Sequence, residues 1–175
     1  MLKRLFKPRP TQVAAQELYA RVVAQSRTPA LYADLGAPDT PEGRFELYSL
    51  HTYLLLERLK GQGAQAADTA QVLFDTYLSA LDHGLRELGV GDLSVGKRMR
   101  KLGEAFYGRV HAFEAALAAL PDRAALEALL ARTVYAKADE AYAPQLAAYV
   151  VAQRETLAAQ DLDRLNAGEV TWSAL

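Results

Sequence analysis

The sequence predicts an all-α protein, a single-domain bundle of five to six or more helices. Alanine and leucine are abundant, apolar residues recur at intervals of three and four rather than two, and no segment shows the alternation of a strand. With 175 residues, the chain is long enough to bury a core of its own within one domain. Short connections between the periodic segments favour a bundle of packed helices.

The first two long helices are indicated by their ends. A helix of about residues 12–27 follows the basic start of the chain and stops before a proline, and a loop with a short turn comes next. Thr40, Pro41 and Glu42 then supply an N-cap, a proline at the first helical position and an acid at the positive end of the helix dipole. The second long helix should therefore run over about residues 41–60.

Further helices fill the second part of the chain. The small, polar segment 61–67 predicts an exposed linker, and a third helix should follow over about residues 68–88. A fourth should begin at about Ser94, and Pro121 and Pro144 each precede another. The predicted inner stripe of the third helix comprises Phe74, Tyr77, Leu78, Leu81, Leu85 and Leu88.

These elements divide the chain into three parts. We predict a basic N-terminal arm over residues 1–10, a helical domain over 11–165 and a C-terminal tail over 166–175. For the stretch after Gly168, EVTWSAL, the pattern does not indicate which structure forms. The chain has no cysteine, which excludes disulfides, thiolate metal sites and a cysteine nucleophile. No apolar run approaches the roughly 20 residues that cross a bilayer.

Charge is distributed unevenly, although the formal net charge is only −1. Four cations lie within the first nine residues, and the segment 97–109 contains five cations against a single acid. Two basic zones on an otherwise acidic chain suggest an anionic partner such as lipid headgroups or RNA, and we predict no DNA partner.

The stretch GVGDLSVGKR has the spacing of a phosphate-binding loop. Gly91, Gly96 and Lys97 match the motif, but Arg98 stands where a Ser or Thr hydroxyl would bind magnesium. The motif also requires a strand before the loop, whereas this stretch follows a predicted helix. We therefore interpret it as a helix end, a turn and the start of a basic helix.

Candidates for catalysis or metal binding are weak. The three histidines, His51, His83 and His111, are far apart and lack the offsets of helical metal sites, so we expect partly buried histidines with ordinary hydrogen bonds and no metal. No serine has the glycine-flanked elbow of a hydrolase. Asp82 and Arg86 are four residues apart and should form an exposed pair. A haem or quinone carrier that uses the bundle interior remains an alternative.

The basic helix start is more informative. Lys97, Arg98, Arg100 and Lys101 occupy the first turns of a helix, where positive charge opposes the dipole, which favours an anion-binding role as much as mere solubility. The N-terminal arm combines apolar and basic side chains in the manner of a short interfacial anchor, which predicts binding to an anionic membrane surface. A disordered arm without a membrane role is the open alternative. Its residues are Leu2, Lys3, Arg4, Leu5, Phe6 and Lys7.

Two blocks of the sequence resemble the ubiquinol-cytochrome c chaperone family. They are LYADLGAPDTPEGRFELYSLHTYLLLERL, residues 31–59, and LRELGVGDLSVGKRMRKLGEAFYGRVHAFEAAL, residues 85–117. The combination of PDT, GRFE, GVGD and AFYGR in this order and spacing is specific, and the similarity extends over about residues 12–140. The last 35 or so residues resemble the family less clearly.

The resemblance implies an assembly factor without catalytic activity or cofactor. Mitochondrial relatives help newly made cytochrome b to enter ubiquinol-cytochrome c reductase, and they act near the translating ribosome with a small helper protein. A chain without a mitochondrial leader looks like a bacterial version, so we expect a cytoplasmic, peripheral location at the inner face of the bacterial inner membrane. Expected partners are cytochrome b or the nascent reductase complex, the anionic membrane surface and the ribosome.

The two blocks also supply the predicted partner-binding residues. About half of them should be structural instead: Asp39 as a helix cap, for example, and Phe45 or Tyr107 as core. The predicted residues are Tyr32, Asp34, Asp39, Arg44, Phe45, His51, Asp92, Lys97, Arg98, Lys101, Tyr107 and Arg109.

Overall fold

The computed structural model describes residues 9–136 and 138–175, which form eight α-helices, one 3-10 turn and no strand. One continuous apolar core joins these elements, so the prediction of an all-α, single-domain bundle is confirmed. The 3-10 turn, Glu140–Tyr142, immediately precedes α7. The helices are α1 Pro10–Ser26, α2 Pro29–Ala33, α3 Pro41–Leu59, α4 Ala64–Glu87, α5 Asp92–Ala118, α6 Ala124–Thr133, α7 Ala143–Ala158 and α8 Leu162–Asn166.

The capping residues act at α3 as the sequence predicts. Thr40 has an extended backbone, its Oγ1 accepts a hydrogen bond of 3.1 Å from the Gly43 amide, and Pro41 occupies the first helical position. Glu42 lies in the first turn, where a carboxylate stabilises the helix dipole.

Two predicted boundaries are wrong. Helix α4 begins at Ala64, so the turn covers only residues 61–63 and not the whole segment 61–67. Gly63 has a φ of +96°, which lets the chain turn directly into alanines of high helix propensity. Helix α5 begins at Asp92 rather than Ser94, with Gly91 as its extended N-cap.

Helix α3 is the central element of the bundle. It packs against α1, α4, α5 and α7, and residues 49–55 are buried on every side of the helix. Around it, α1 packs on α4, α4 on α5, α5 on α6 and α6 on α7. A helix that is buried all round belongs to the interior of the domain, so α3 fixes the position of its neighbours.

The C-terminal tail is bound to α7 and to the turn that follows it by two glutamine side chains, Gln153 and Gln160. Gln153 donates from Nε2 to the Ser173 carbonyl (2.9 Å) and accepts from the Ser173 amide at Oε1 (2.8 Å). Gln160 forms the same paired contact with Thr171, with two bonds of 2.8 Å. Between these two clamps, the ring of Trp172 packs against the core. The tail is thus ordered by side-chain amides and not by backbone pairing.

The apolar stripe of α4 extends beyond the core. Tyr77 is fully buried, but the helix becomes more open toward its C-terminus, and Leu88 is 73% exposed. The prediction that Leu88 belongs to the inner stripe is therefore wrong in the isolated chain. The main apolar core includes Leu73 of α4 but no later residue of that helix, so the last leucines lie at its edge.

Candidate binding groove

An open groove of about 900 Å³ lies where α1, the loop before α3, α3 itself, α4 and α5 meet. Its volume falls at the upper end of the range of ligand-binding clefts. The apolar part of its lining comprises Val23, Phe45, Ala80, Leu81, Leu85, Leu88 and Leu102, with Tyr19, Tyr32 and Tyr48 beside them. The leucines of α4 that lie beyond the main apolar core are accessible at this groove.

The two sequence blocks come together at this groove. Half of the twelve predicted partner-binding residues line it: Tyr32, Asp39, Arg44, Phe45, Arg98 and Lys101. The first four come from α2, the following loop and the start of α3, and the last two come from the start of α5. Residues more than fifty positions apart in the chain thus share one surface.

One wall of the groove is held by local contacts around Tyr32. The Tyr32 hydroxyl donates to the Ser26 carbonyl at 2.8 Å, which ties α2 to the end of α1, and burial raises the pKa of this hydroxyl. Arg44 donates to Asp39 at 2.5 Å, and this hydrogen bond lowers the pKa of the Asp39 carboxyl. Asp39 therefore pairs with an arginine, whereas the helix cap is Thr40.

The basic start of α5 is divided between two faces. Arg98 and Lys101, three residues apart, lie on the side that lines the groove. Lys97 and Arg100 point away from it and are exposed. Within the part of the chain that the structure describes, neither groove cation has a carboxylate within ion-pair distance, so both are available to an anionic group.

Arg109 is bound within the protein. It forms a bidentate ion pair with Glu46 of α3, with both hydrogen bonds at 2.7 Å, and the two side chains are 29% and 12% exposed. Glu46 also lines the groove. The pair therefore joins α3 to α5 just below the groove surface.

The remaining predicted residues lie outside the groove. Asp34 is exposed at the end of α2, and Asp92 pairs with Arg86, which also binds Asp82 at 2.7 Å. The predicted pair of Asp82 and Arg86 is thus confirmed. Tyr107 is 56% exposed on the outer face of α5, where its ring meets Phe74 edge-on at 5.8 Å. The predicted membrane-surface residues of the arm, 2–7, lie outside the described residues.

His51 is a core residue of α3. Its Nδ1 bonds the Leu47 carbonyl at 2.7 Å, and because a carbonyl only accepts, Nδ1 carries the proton. Its Nε2 then accepts from the Tyr149 hydroxyl at 2.7 Å, and that hydroxyl accepts from Gln25. Trp172 of the tail closes over the ring with a centroid distance of 5.3 Å. Burial lowers the pKa of His51 to about 4, so the imidazole is neutral near pH 7.

The other two histidines are on the surface. His83 and His111 have side chains 76% and 81% exposed, and each lies near a glutamate on its own helix. The expectation of partly buried histidines is therefore wrong, since one is wholly buried and two are exposed. Both nitrogens of His51 are engaged, which leaves no free imidazole lone pair in the interior for a haem iron.

Metal clusters and membrane-spanning helices are both absent from the described residues, 9–136 and 138–175. They contain no group of three or more histidine, aspartate or glutamate side chains arranged to hold a metal ion. No described helix combines the length and the apolar character needed to cross a membrane.

Sequence reasoning missed several groove residues. Leu81 and Leu85 were assigned to the core because their i, i+4 spacing is that of an inner stripe, and a stripe cannot reveal where its covering helices end. Tyr48 and Arg27 belong to the groove through tertiary packing alone. The available signal was helix length: α4 has 24 residues, whereas α1 and α3, on which it packs, have 17 and 19.

An all-helical bundle with an open, apolar and cationic groove has the features of a surface that can accept an amphipathic helix of another polypeptide. The family model of the ubiquinol-cytochrome C chaperone matches residues 33–172, and the chain belongs to this family. Both sequence blocks that line the groove fall almost entirely within the match.

Individual relatives agree with the family match. The chain is 22% identical over 168 residues to ubiquinol-cytochrome-c reductase complex assembly factor 1 of Xenopus laevis, which covers 94% of this chain and 82% of that protein. Its fold is similar to the crystal structure of the Cbp3 homolog from Brucella abortus, with a TM-score of 0.87 and 39% identity. That likeness covers 99% of this chain and 97% of the other.

Proposed function

We propose that this protein is a non-enzymatic assembly chaperone for ubiquinol-cytochrome c reductase that binds newly made cytochrome b in its groove. It would act at the cytoplasmic face of a bacterial inner membrane. The observation that carries the proposal is the groove itself, with leucines and aromatic rings along its walls and cations at one side. Because the chain belongs to the ubiquinol-cytochrome C chaperone family, we propose a subunit of ubiquinol-cytochrome c reductase as the client.

The chemistry of the groove suits a segment of a membrane-protein helix. Apolar side chains of a client that has not yet met its partner helices would bury against Leu81, Leu85 and Leu88. Arg98 and Lys101 would then meet carboxylates or the carbonyl end of the client helix, where positive charge is favourable. Such a surface holds its client reversibly, because it offers a partial substitute for the client's final packing.

The absence of catalytic activity is part of the proposal. The groove lining contains hydroxyls and carboxylates, but no histidine, among the described residues, and Asp39 and Glu46 are each neutralised by an arginine. Glu42 and Glu87 also line the groove, and Glu87 lies 3.3 Å from the exposed His83. A general base or nucleophile needs a positioned partner that activates it, and we propose no such role for these exposed groups.

The groove proposal is tested by pull-down of translated cytochrome b with two matched charge reversals in α5. Arg98→Glu/Lys101→Glu alters the groove, whereas Lys97→Glu/Arg100→Glu makes the same change in charge on the outward face of the same turns. We expect the groove variant to lose most client binding and reductase assembly and the outward variant to retain client binding in the pull-down. Full binding and full assembly with the groove variant would overturn the proposal.

Membrane-surface location is tested separately through the arm. Removing residues 1–9 should weaken binding to anionic vesicles while leaving client capture in detergent unchanged, because the arm is predicted to add only lipid affinity. Unchanged vesicle binding after truncation would exclude the arm as an anchor.

Ribosome binding is the third expected contact. It is measured by sedimentation with ribosomes that carry a nascent cytochrome b chain.

A further inference from the structure

The outer face of α5 combines exposed apolar side chains with cations. Leu93, Lys97, Arg100 and Tyr107 follow each other at intervals of four, three and seven, so they share one side of the helix. Leu93 is fully exposed at 103%, and Tyr107 is 56% exposed. Five large apolar side chains are exposed among the described residues, and Leu93 and Tyr107 are two of them.

This face is distinct from the groove. None of its four residues lines the groove, whereas Arg98 and Lys101 on the adjacent side do. The fourteen positions between Leu93 and Tyr107 correspond to about 21 Å of helix, so the face is an elongated strip. The structure therefore offers a second surface with its own composition.

We infer that this outer face of α5 docks on anionic lipid, with the Leu93 side chain entering the interface and Lys97 and Arg100 beside phosphate headgroups. The inference deepens the membrane-surface location under the proposed function and rests on it. Tyr107 suits the same plane, because its ring is supported by Phe74 while a tyrosine hydroxyl favours the headgroup region.

Charge favours lipid as the occupant. Lys97 has no carboxylate partner among the described residues, and the one acid on the strip, Glu104, is 3.8 Å from Arg100. Arg98 and Lys101 lie one helix side away, which raises the positive potential near the strip. An RNA phosphate would also attract these cations, but it offers nothing to a fully exposed aliphatic side chain such as Leu93. An anionic lipid surface offers phosphate groups to the cations and an apolar layer to Leu93.

The first test is binding of the full chain to vesicles of phosphatidylglycerol and phosphatidylcholine in equal parts, with phosphatidylcholine vesicles as reference. We expect Leu93→Ser and Lys97→Glu/Arg100→Glu each to weaken binding to the anionic vesicles about tenfold. Arg98→Glu/Lys101→Glu is the matched control, with the same change in charge at neighbouring positions, and should weaken it less. Equal losses for the two charge pairs, or no effect of Leu93→Ser, would overturn the inference.

A second measurement uses the absence of native cysteine. An environment-sensitive dye attached at Leu93→Cys should shift to the blue on anionic vesicles, while the same dye at Ala148→Cys, exposed on α7, should not. If Lys97→Glu/Arg100→Glu instead weakens binding to ribosomes and the dye at position 93 does not respond to vesicles, the face recognises RNA and the inference fails. Client pull-down with Leu93→Ser keeps the outcomes separate, because the groove is untouched by that change.

Discussion

Arg109 and Glu46 form a bidentate ion pair that fastens α5 to α3, with both hydrogen bonds at 2.7 Å. Each of the two characteristic sequence blocks contributes one partner. Because Glu46 is only 12% exposed and also lines the groove, the pair sets the distance between the groove walls. Arg109, which is predicted to contact a partner, is thus already engaged in a contact within the protein.

We expect Glu46→Gln to lower the free energy of unfolding by about 1–3 kcal/mol, the range for hydrogen bonds to charged groups. The double variant Glu46→Gln/Arg109→Met should cost less than the sum of the single changes, because each single change leaves an unpaired charge behind and the double change does not. Urea unfolding of the four proteins measures the coupling. Glu104→Gln removes an exposed pair on the same helix and should cost less than about 0.5 kcal/mol. Additive single effects at Glu46 and Arg109 would show that the pair contributes nothing.

His51 should make stability depend on pH. Its pKa is about 4 in the folded protein against 6.5 for an ordinary histidine, because burial penalises the charged ring. Between these values the unfolded chain binds a proton that the folded chain does not, so stability is complete above the ordinary pKa and falls as the pH drops. The full loss is on the order of 3 kcal/mol.

The comparison that isolates His51 is unfolding in urea at about pH 7 and pH 5, where carboxylates still contribute little. His51→Gln should reduce the difference between the two by about 2 kcal/mol, even if the variant is less stable at both. His83→Gln changes an exposed histidine and should leave the difference as it is. If His51→Gln kept the wild-type difference in unfolding free energy between pH 7 and pH 5, the proton would bind to another group.

The tail clamps can be followed through Trp172, the one tryptophan of the chain. Gln153→Leu removes both hydrogen bonds to Ser173, so we expect the tail to detach and Trp172 to leave its place over His51. Its fluorescence should shift to the red and become accessible to iodide. Gln16→Leu, at an exposed position on α1, serves as the control. A Trp172 spectrum that is identical in Gln153→Leu and wild type would show that ring packing alone holds the tail.

Gly43 allows the loop before α3 to lie against the helix. A Cβ at this position would be 2.1 Å from the Pro38 carbonyl oxygen, so Gly43→Ala must displace the loop that carries Asp39. We expect a loss of about 1–3 kcal/mol in thermal unfolding and weaker client binding. Gly108→Ala in α5 meets nothing within 4 Å and should instead stabilise the helix by about 0.5–1 kcal/mol. A gain in stability for both alanines would contradict this packing.

The sequence was sufficient to predict the long helices, because capping residues, prolines and glycines at their ends are local signals. Thr40 and Pro41 define the start of α3 without reference to the remainder of the chain. The boundary errors at Ala64 and Asp92 arose where glycines permit more than one starting point. Local signals thus predict that a helix exists more reliably than they predict its first residue.

The groove could be predicted only in part, because it depends on which helices fail to cover one another. Resemblance to the family directed attention to Arg44, Phe45 and Lys101, which do line it. The same reasoning gave His51 a partner-binding role, yet the structure buries its side chain completely. Whether a polar residue faces solvent or a buried hydroxyl such as that of Tyr149 is decided by packing between segments about a hundred residues apart.

The basic residues of α5 are divided between two faces, so the number of residues that precede each of them in the helix decides on which face it lies. One residue inserted between Asp92 and Lys97 would turn every later side chain by about 100° relative to the helix start. Lys97 and Arg100 would then take the places of Arg98 and Lys101 at the groove, and Gly96 and Met99 would replace them on the outer face. Under the two proposals above, a substitution in α5 changes one surface at a time, whereas a change in the number of residues in its first two turns would alter both surfaces at once.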